Sequence, residues 1–349
     1  MATPGQDSIE RKPATTLIVG MRRREFIALL GTSPAWTLTV VAQAEKVYRI
    51  SVLTSASQRS DTPTWATFVR ALRDLGYVEG QNLVFERRSG EGHLERLAGM
   101  AAELASMNVD VIVVFGPGPI HAAKAATSNI PIVMIAGSSD PIGEGLIASF
   151  ARPGGNITGL TYAASSDRFG KQLQILKEAI GRVSRVGVLW DLELEYFQRA
   201  WAPALGEAAG QLGIEIAGPF LVRDENEFGP AFGAMGQQAV DAVLVAAGGT
   251  SYNSRALVAQ LALHNRLPAI AAFREFPQVG LLLSYGPDLL DLYRRAAGYV
   301  HKILKGDRPS ELPVEQPTKY QLLINLKIAK VLGVAIPTSL LVRADEVIE

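Results

Sequence analysis

The 349-residue chain contains no cysteine. That excludes a thiol nucleophile, a disulfide framework, a zinc ribbon and a lipid-acylated cysteine. It also lacks an excess of either charge, because 34 Lys and Arg side chains stand against 34 Asp and Glu. With no basic surplus to neutralise a phosphate backbone, nucleic-acid binding is not expected. Histidine is scarce: His93, His121, His264 and His301 are scattered without metal-ligand spacing, so no metal site is expected. The chain has neither a Gly-x-Ser-x-Gly nucleophile elbow nor a Walker lysine. Aromatic residues make up a modest 7 %. What is present is aliphatic sequence punctuated by Gly and Pro, the composition of a folded α/β protein. The length exceeds what one hydrophobic core usually organises, so two domains are expected.

From Met21 the sequence reads MRRREFIALLGTSPAWTLTVVAQA. Three arginines precede an apolar run that ends at Ala42-Gln43-Ala44, the pattern of an export signal with a small-residue cleavage site after Ala44. Gly31, Thr32, Ser33, Pro34, Thr37 and Thr39 interrupt the run, which makes it too polar for a stable membrane span. Arg23-Arg24-Glu25-Phe26-Ile27 resembles a twin-arginine signal, and the general secretory route stays open beside it. On this reading residues 1–20 lie upstream of the true start or form an unstructured extension. Removing residues 1–44 takes away five basic and three acidic side chains and leaves 29 and 31. The expected product is a near-neutral soluble protein outside the cytoplasm, with a Gram-negative periplasm as its simplest location.

The chain repeats itself. YRISVLT (48–54) recurs as SRVGVLW (184–190), NVDVIVVFGPG (108–118) as AVDAVLVAAGG (239–249), and IPIVMIAG (130–137) as LPAIAAF (267–273). Leu75-Gly76-Tyr77 recurs as Leu212-Gly213-Ile214, so four elements recur at a nearly constant offset. Each half alternates strands with helices, and the strands are continuous Val/Ile/Leu runs. Such runs belong to parallel sheets covered by helices on both faces, which predicts an α/β fold of two Rossmann-like lobes. Helices are expected over 64–75, with Trp65, Phe68, Val69 and Leu72 on one face, and over 169–180, with Leu173, Leu176 and Ile180. A further helix should start behind Asp288 as its cap and end at Gly306. The closing helix should run through Ile328, Val331 and Leu332. In doubly wound sheets ligands sit at the carboxyl ends of the strands, and two such edges facing each other make a cleft.

Several longer motifs carry a resemblance. Asp140-Pro-Ile-Gly-Glu-Gly-Leu, Ala151-Arg-Pro-Gly-Gly-Asn-Ile-Thr-Gly, Ser284-Tyr-Gly-Pro-Asp, Leu312-Pro-Val-Glu-Gln-Pro-Thr-Lys-Tyr, Ile336-Pro-Thr-Ser-Leu-Leu and Arg343-Ala-Asp-Glu-Val-Ile span the chain from about Lys46 to Glu349. Together they resemble the ABC-transporter substrate-binding family that includes tryptophan- and tyrosine-binding proteins. The resemblance implies a type I periplasmic-binding-protein architecture of two lobes joined by three crossings. These fall near 158–162, 284–287 and 313–320. One lobe would then comprise 46–160 plus 286–312, the other 161–285 plus 313–349. It further implies a monomer that closes on a small solute, an amino acid or a small carboxylate, and delivers it to an ABC permease in the inner membrane without catalysis. One departure concerns the strand at 243–247, which in relatives often runs into Asp-Pro and here enters Gly248-Gly249-Thr250-Ser251-Tyr252. The resemblance therefore does not carry ligand identity with it.

Candidate ligand contacts follow from the strand ends. Thr54 and Ser55 follow the first strand and offer hydroxyls at a helix start. Gly116, Pro117 and Gly118 follow the third, where glycine permits close approach to the backbone. Gly137, Ser138 and Asp140 follow the fourth, with Asp140 the candidate partner for a ligand ammonium or else a cap for its own loop. On the second lobe Trp190, Gly248, Thr250, Tyr252 and Phe273 occupy the equivalent places, where aromatics either stack on a ligand or pack beneath a loop. Arg274 and Glu275 form either a solvated pair or a carboxylate clamp. Tyr162 and Tyr285 lie at crossings. A nucleotide enzyme is the weaker alternative, since Gly116-x-Gly118-x-x-His121 lacks the third glycine of a dinucleotide fingerprint and follows the wrong strand. A receptor lobe serving a signalling partner is the other.

Overall fold

A computed structural model describes residues 46–55, 62–138, 140–162, 167–191, 195–246 and 248–349. The export signal expected within residues 1–44 lies outside the described residues. The first half runs β1 (Tyr48–Thr54), α1 (Pro63–Asp74), β2 (Leu83–Ser89), α2 (Leu97–Ser106), β3 (Val111–Phe115), α3 (Pro117–Ala126), β4 (Ile132–Ile135) and β5 (Ile157–Leu160). Its strands form one parallel sheet in the order β2-β1-β3-β4-β5.

The second half begins with α4 (Asp167–Ile180), β6 (Arg185–Asp191), α5 (Glu195–Gln211), β7 (Glu215–Val222), α6 (Phe228–Gln237) and β8 (Ala242–Ala246). It continues with α7 (Gly249–Asn253), α8 (Arg255–His264), β9 (Ala269–Ala271), α9 (Glu275–Gln278) and β10 (Leu283–Pro287). The order β7-β6-β8-β9-β10 reproduces that of the first sheet, strand for strand, with parallel pairing throughout. The internal repeat of the sequence is thus a repeat of topology. Last come α10 (Leu289–Leu304), β11 (Tyr320–Asn325), α11 (Leu326–Leu332), α12 (Thr338–Leu341) and β12 (Glu346–Ile348). β11 adds to the second sheet antiparallel to β10, and β12 pairs with β11 in parallel.

Alternation along each strand feeds two cores, one on each face of the sheet. In β3, Val111 and Val113 join Ile50, Phe68 and Leu72 on one face, while Ile112 and Val114 join Leu53, Leu104 and Ile120 on the other. In the second sheet Val186, Val188 and Trp190 face one cluster and Leu189 the other. Burying each large aliphatic or aromatic side chain is worth roughly 1.5–3 kcal/mol, which is why these unbroken apolar runs become central strands.

The helices carry the expected signals. Thr62 caps α1 by accepting from the Trp65 N–H, and Trp65, Phe68 and Leu72 form its buried stripe. Asp288 caps α10 through the Asp291 N–H. Although α10 follows a strand of the second sheet, its apolar stripe of Leu292, Ala296, Val300 and Ile303 packs into the core of the first lobe beside α1. The connecting backbone runs side by side: the Glu315 N–H donates to the Gly159 carbonyl, the Thr158 hydroxyl to that of Leu312, and the Asp288 N–H to that of Lys319. Among the described residues no helix is long and apolar enough to cross a membrane.

Candidate ligand cleft

On the first lobe the carboxyl ends of β1, β3 and β4 place the expected turns together. Ser55 is buried, and Gly116, with φ of 88°, caps α3 in a conformation that glycine adopts without strain. A side chain at Gly116 would point toward the Ser55 hydroxyl, 3.8 Å away. Pro117 and Gly118 begin α3. Beyond β4, Gly137 and Ser138 are buried, and Ser138 organises the loop: its hydroxyl donates to Glu144 Oε1 at 2.6 Å and accepts the Asp140 N–H at 3.0 Å. Asp140 in turn accepts the Gly143 N–H through Oδ1, so the structure shows it capping its own turn. Glu144 is the residue that sequence reasoning passed over here. Its side chain is fully buried and its Oε2 meets His121 Nε2 at 2.9 Å.

The aromatic residues gather more selectively. Phe273, just after β9, meets Tyr162 at 5.5 Å and Tyr252 at 5.3 Å, both edge-on. Arg168 lies over Tyr162 at 4.5 Å and Arg255 over Tyr252 at 4.9 Å. Tyr162, Tyr252 and Phe273 are therefore one cluster, extended at each end by a guanidinium. Trp190 is not part of it. It is 2 % exposed and packs against Phe169 in the core, because a side chain in the middle layer of a sheet is covered by the helix above it. Tyr285 also stands apart, stacked on Tyr320 at 5.7 Å. Gly248 caps α7, Thr250 lies in its first turn, and Ser251 anchors that turn. The Ser251 N–H donates to buried Asp191 at 2.9 Å, and its hydroxyl donates to the other oxygen. Thr54 ends β1, paired with Phe115 across the sheet.

Three residues absent from the sequence reading lie beside these candidates or their neighbours in the fold. Tyr293 of α10 stacks on Phe115 of β3. Its hydroxyl is pushed well above the usual tyrosine value, by burial first and then by Tyr252 and Glu275. Arg168 and Arg255 were missed because each sits at the start of a helix whose apolar stripe explains the segment by itself.

Charge in the second-lobe wall is largely unsatisfied. Burial raises the Glu275 carboxyl above its ordinary value, against the pull of Arg255 and Arg274, and its Oε2 has no hydrogen-bond partner among the described residues. Arg255 donates through Nη1 to the Tyr252 carbonyl, while its buried Nε has none. Arg168 likewise has buried Nε and Nη1 without partners. Arg274 is different: it turns away to Gln321 and Glu346 on the last two strands. Among the described residues no His, Asp and Glu side chains cluster as a metal site.

The sequence pattern of the family described as ABC transporter substrate binding protein matches residues 49–348. A tyrosine-binding protein of Clostridioides difficile (strain R20291) is 25 % identical over 265 residues, covering 76 % of this chain and 75 % of that protein. An ABC domain from Streptococcus pneumoniae, solved in complex with L-Trp, is 25 % identical with a TM-score of 0.76, covering 87 % of this chain and 100 % of that one. A ligand-free, open substrate-binding protein with adhesive properties from Clostridium difficile is also 25 % identical, with a TM-score of 0.62 over 86 % and 99 %.

Proposed function

The chain belongs to the ABC transporter substrate-binding proteins, and from that premise we propose that it is the extracytoplasmic receptor of an ABC importer, closing two lobes on an aromatic L-amino acid. The observation that supports this reading is a group of aromatic rings at or beside the strand ends of each lobe. The Phe115–Tyr293 stack belongs to the first, and the Tyr162–Phe273–Tyr252 cluster to the second. An aromatic side chain of the ligand gains both apolar burial and ring–ring contact in such a site. The relatives that bind tyrosine and L-Trp support the same class of solute.

The mechanism is a population shift. Contacts that need both walls exist only when the lobes are together, so ligand favours the closed form by its differential affinity for it. The better overlay on the L-Trp complex than on the ligand-free open relative supports reading this structure as closed. We take the lobes as 46–160 with 286–312 and 161–285 with 313–349. The connecting segments near 158–162, 284–287 and 313–320 then act as the hinge. A monomeric receptor of this kind presents both lobe surfaces to an inner-membrane permease, and the segment from Met21 to Ala44 directs it across the membrane into the periplasm. Of the candidate contacts, Ser55, Gly116, Gly118, Thr250, Tyr252 and Phe273 border the ligand in this reading.

A thermal-shift and calorimetry screen of residues 45–349 against amino acids, sugars and nucleotides tests the proposal. L-Trp or L-Tyr at 100 times its Kd should stabilise the fold by about 2.7 kcal/mol. Stabilisation by a nucleotide alone, or turnover of the ligand, would overturn it.

A further inference from the structure

The two lobes treat their buried acids differently. In the first, Glu144 is fully enclosed; its Oε1 accepts from the Ser138 hydroxyl, and the His121 imidazole of the same lobe lies 2.9 Å from Oε2. That oxygen makes no hydrogen bond among the described residues, but it has an imidazole in ion-pair contact. In the second lobe Glu275 has neither: its Oε2 is buried without a hydrogen-bond partner, and no Lys, Arg or His side chain makes an ion pair with it, among the described residues. Leaving a buried acceptor unmade is costly, and the cost is greater for a charged one.

A cation lies nearby without relieving it. The Arg255 guanidinium lies over Tyr252, whose ring meets Phe273 two residues before Glu275, yet no ion pair joins Arg255 to Glu275 among the described residues, and its Nε is also buried and unpartnered. The sequence neighbour Arg274 is occupied by Gln321 and Glu346. Arg255 is held in place from behind by its bond to the Tyr252 carbonyl and by the Tyr252 ring beneath it. Arg255 opens α8 and Glu275 opens α9, so each stands on the loop that follows a strand of the second sheet. The aromatic side of the cleft begins immediately beside them, at Tyr252.

We propose that Glu275 and Arg255 form a receptor for the zwitterionic backbone of an α-amino acid, Glu275 accepting from its ammonium and Arg255 donating to its carboxylate. This deepens the reading of the site given above and rests on it. The pair supplies what the unpartnered atoms lack: the ammonium gives Glu275 Oε2 a donor, and the carboxylate gives Arg255 Nε an acceptor. A solute without charge would leave both atoms unmade, so the same pair discriminates against sugars. Tyr252 links the two functions, because its carbonyl orients Arg255 while its ring faces Phe273.

Calorimetry on the full chain tests this with L-Trp, tryptamine, which lacks the carboxylate, and indole-3-propionate, which lacks the ammonium. Glu275→Gln should weaken L-Trp by roughly 30-fold or more and leave indole-3-propionate within about 3-fold of wild type. Arg255→Gln should do the converse, weakening L-Trp and leaving tryptamine unchanged. Glu275→Asp and Arg255→Lys, which keep the charges, serve where a Gln variant loses its near-ultraviolet circular dichroism. Equal loss for all three ligands, or no loss for L-Trp, overturns the receptor while leaving the aromatic reading intact. Wild-type binding of L-Leu in place of L-Trp, with the same dependence on both residues, retains the receptor and removes the aromatic reading. Binding of uncharged solutes alone removes both.

Discussion

Phe115 and Tyr293 stack with ring centroids 4.8 Å apart and planes 2° from parallel. The first ends a central strand and the second lies on a helix that follows β10, the fifth strand of the second sheet in chain order. Both rings pack against the first-lobe core that contains Phe68 and Leu72 of α1. In the proposed receptor, replacing Tyr293 removes one ring from the aromatic lining. Tyr293→Leu should weaken an aromatic ligand about three- to ten-fold, the worth of one aromatic pair. Calorimetry reads the change, and an unchanged Kd would make the stack a packing feature only.

The Glu275 carboxyl should make both stability and binding depend on pH, in opposite directions. Burial raises its folded pKa, a bond from its own backbone N–H, Arg255 and Arg274 oppose the rise, and Asp288 adds to it; Tyr252 and Tyr293, both raised by burial, do not titrate in this range. A raised carboxyl contributes stability that is complete below its unfolded value and disappears as pH rises through its folded value. The ligand-free Glu275→Gln variant should therefore gain in Tm over wild type as pH increases. Affinity of wild type for an amino acid should rise over the same interval, because the ammonium is received by the ionised form. Differences that stay flat with pH in both measurements would show that Glu275 keeps one charge state throughout.

Asp291 joins the first turn of α10 to the chain that enters β11. Its side chain is 9 % exposed and meets Arg294 and Lys319 at 3.1 Å and Arg295 at 3.6 Å. The cations are partly solvated, so the network is worth less than a sealed one. Asp291→Ala should lower unfolding stability by about 1–2 kcal/mol, measured as a shift of the urea midpoint. If 313–320 is a connection between the lobes, as proposed above, Lys319 lies on it and the variant should also alter the salt dependence of ligand affinity.

Gly159 and Gly286 occupy places where backbone meets backbone. A Cβ at Gly159, whose φ is 119°, would collide with the Met134 main chain, and one at Gly286 would collide with the Ala272 carbonyl. Gly159→Ala and Gly286→Ala should each cost roughly 3 kcal/mol, since neither neighbour is a side chain that can rotate aside. Gly99→Ala in exposed α2 meets nothing within 4 Å and should be neutral or stabilising by about 0.5–1 kcal/mol. Thermal unfolding of the three variants separates the cases.

Much of the fold was legible along the chain. The repeat of YRISVLT in SRVGVLW and of NVDVIVVFGPG in AVDAVLVAAGG announced two sheets with one strand order, and β2-β1-β3-β4-β5 against β7-β6-β8-β9-β10 is that repeat in space. Asp288 was legible as a cap because a carboxylate before an amphipathic run has a local purpose. Asp140 had two readings, and the bond from Gly143 shows the loop-capping one. Trp190 was an aromatic at a strand end, a position that does not reveal whether a helix lies above it; Phe169 does. Tyr293 left no signal, since a tyrosine on the flank of an apolar stripe reads as core.

Strands, helices, their caps and their duplication were determined by sequence alone, because apolar periodicity and turn chemistry act over a few residues and can be read in one dimension. Tertiary structure decided which wall each side chain belongs to. It sent α10 back to the first core, laid β11 antiparallel on β10, seated Tyr293 against Phe115, and left Glu275 and Arg255 close but unjoined. The reason is physical: whether a buried charge is satisfied depends on partners brought from distant parts of the chain, and only packing determines which arrive.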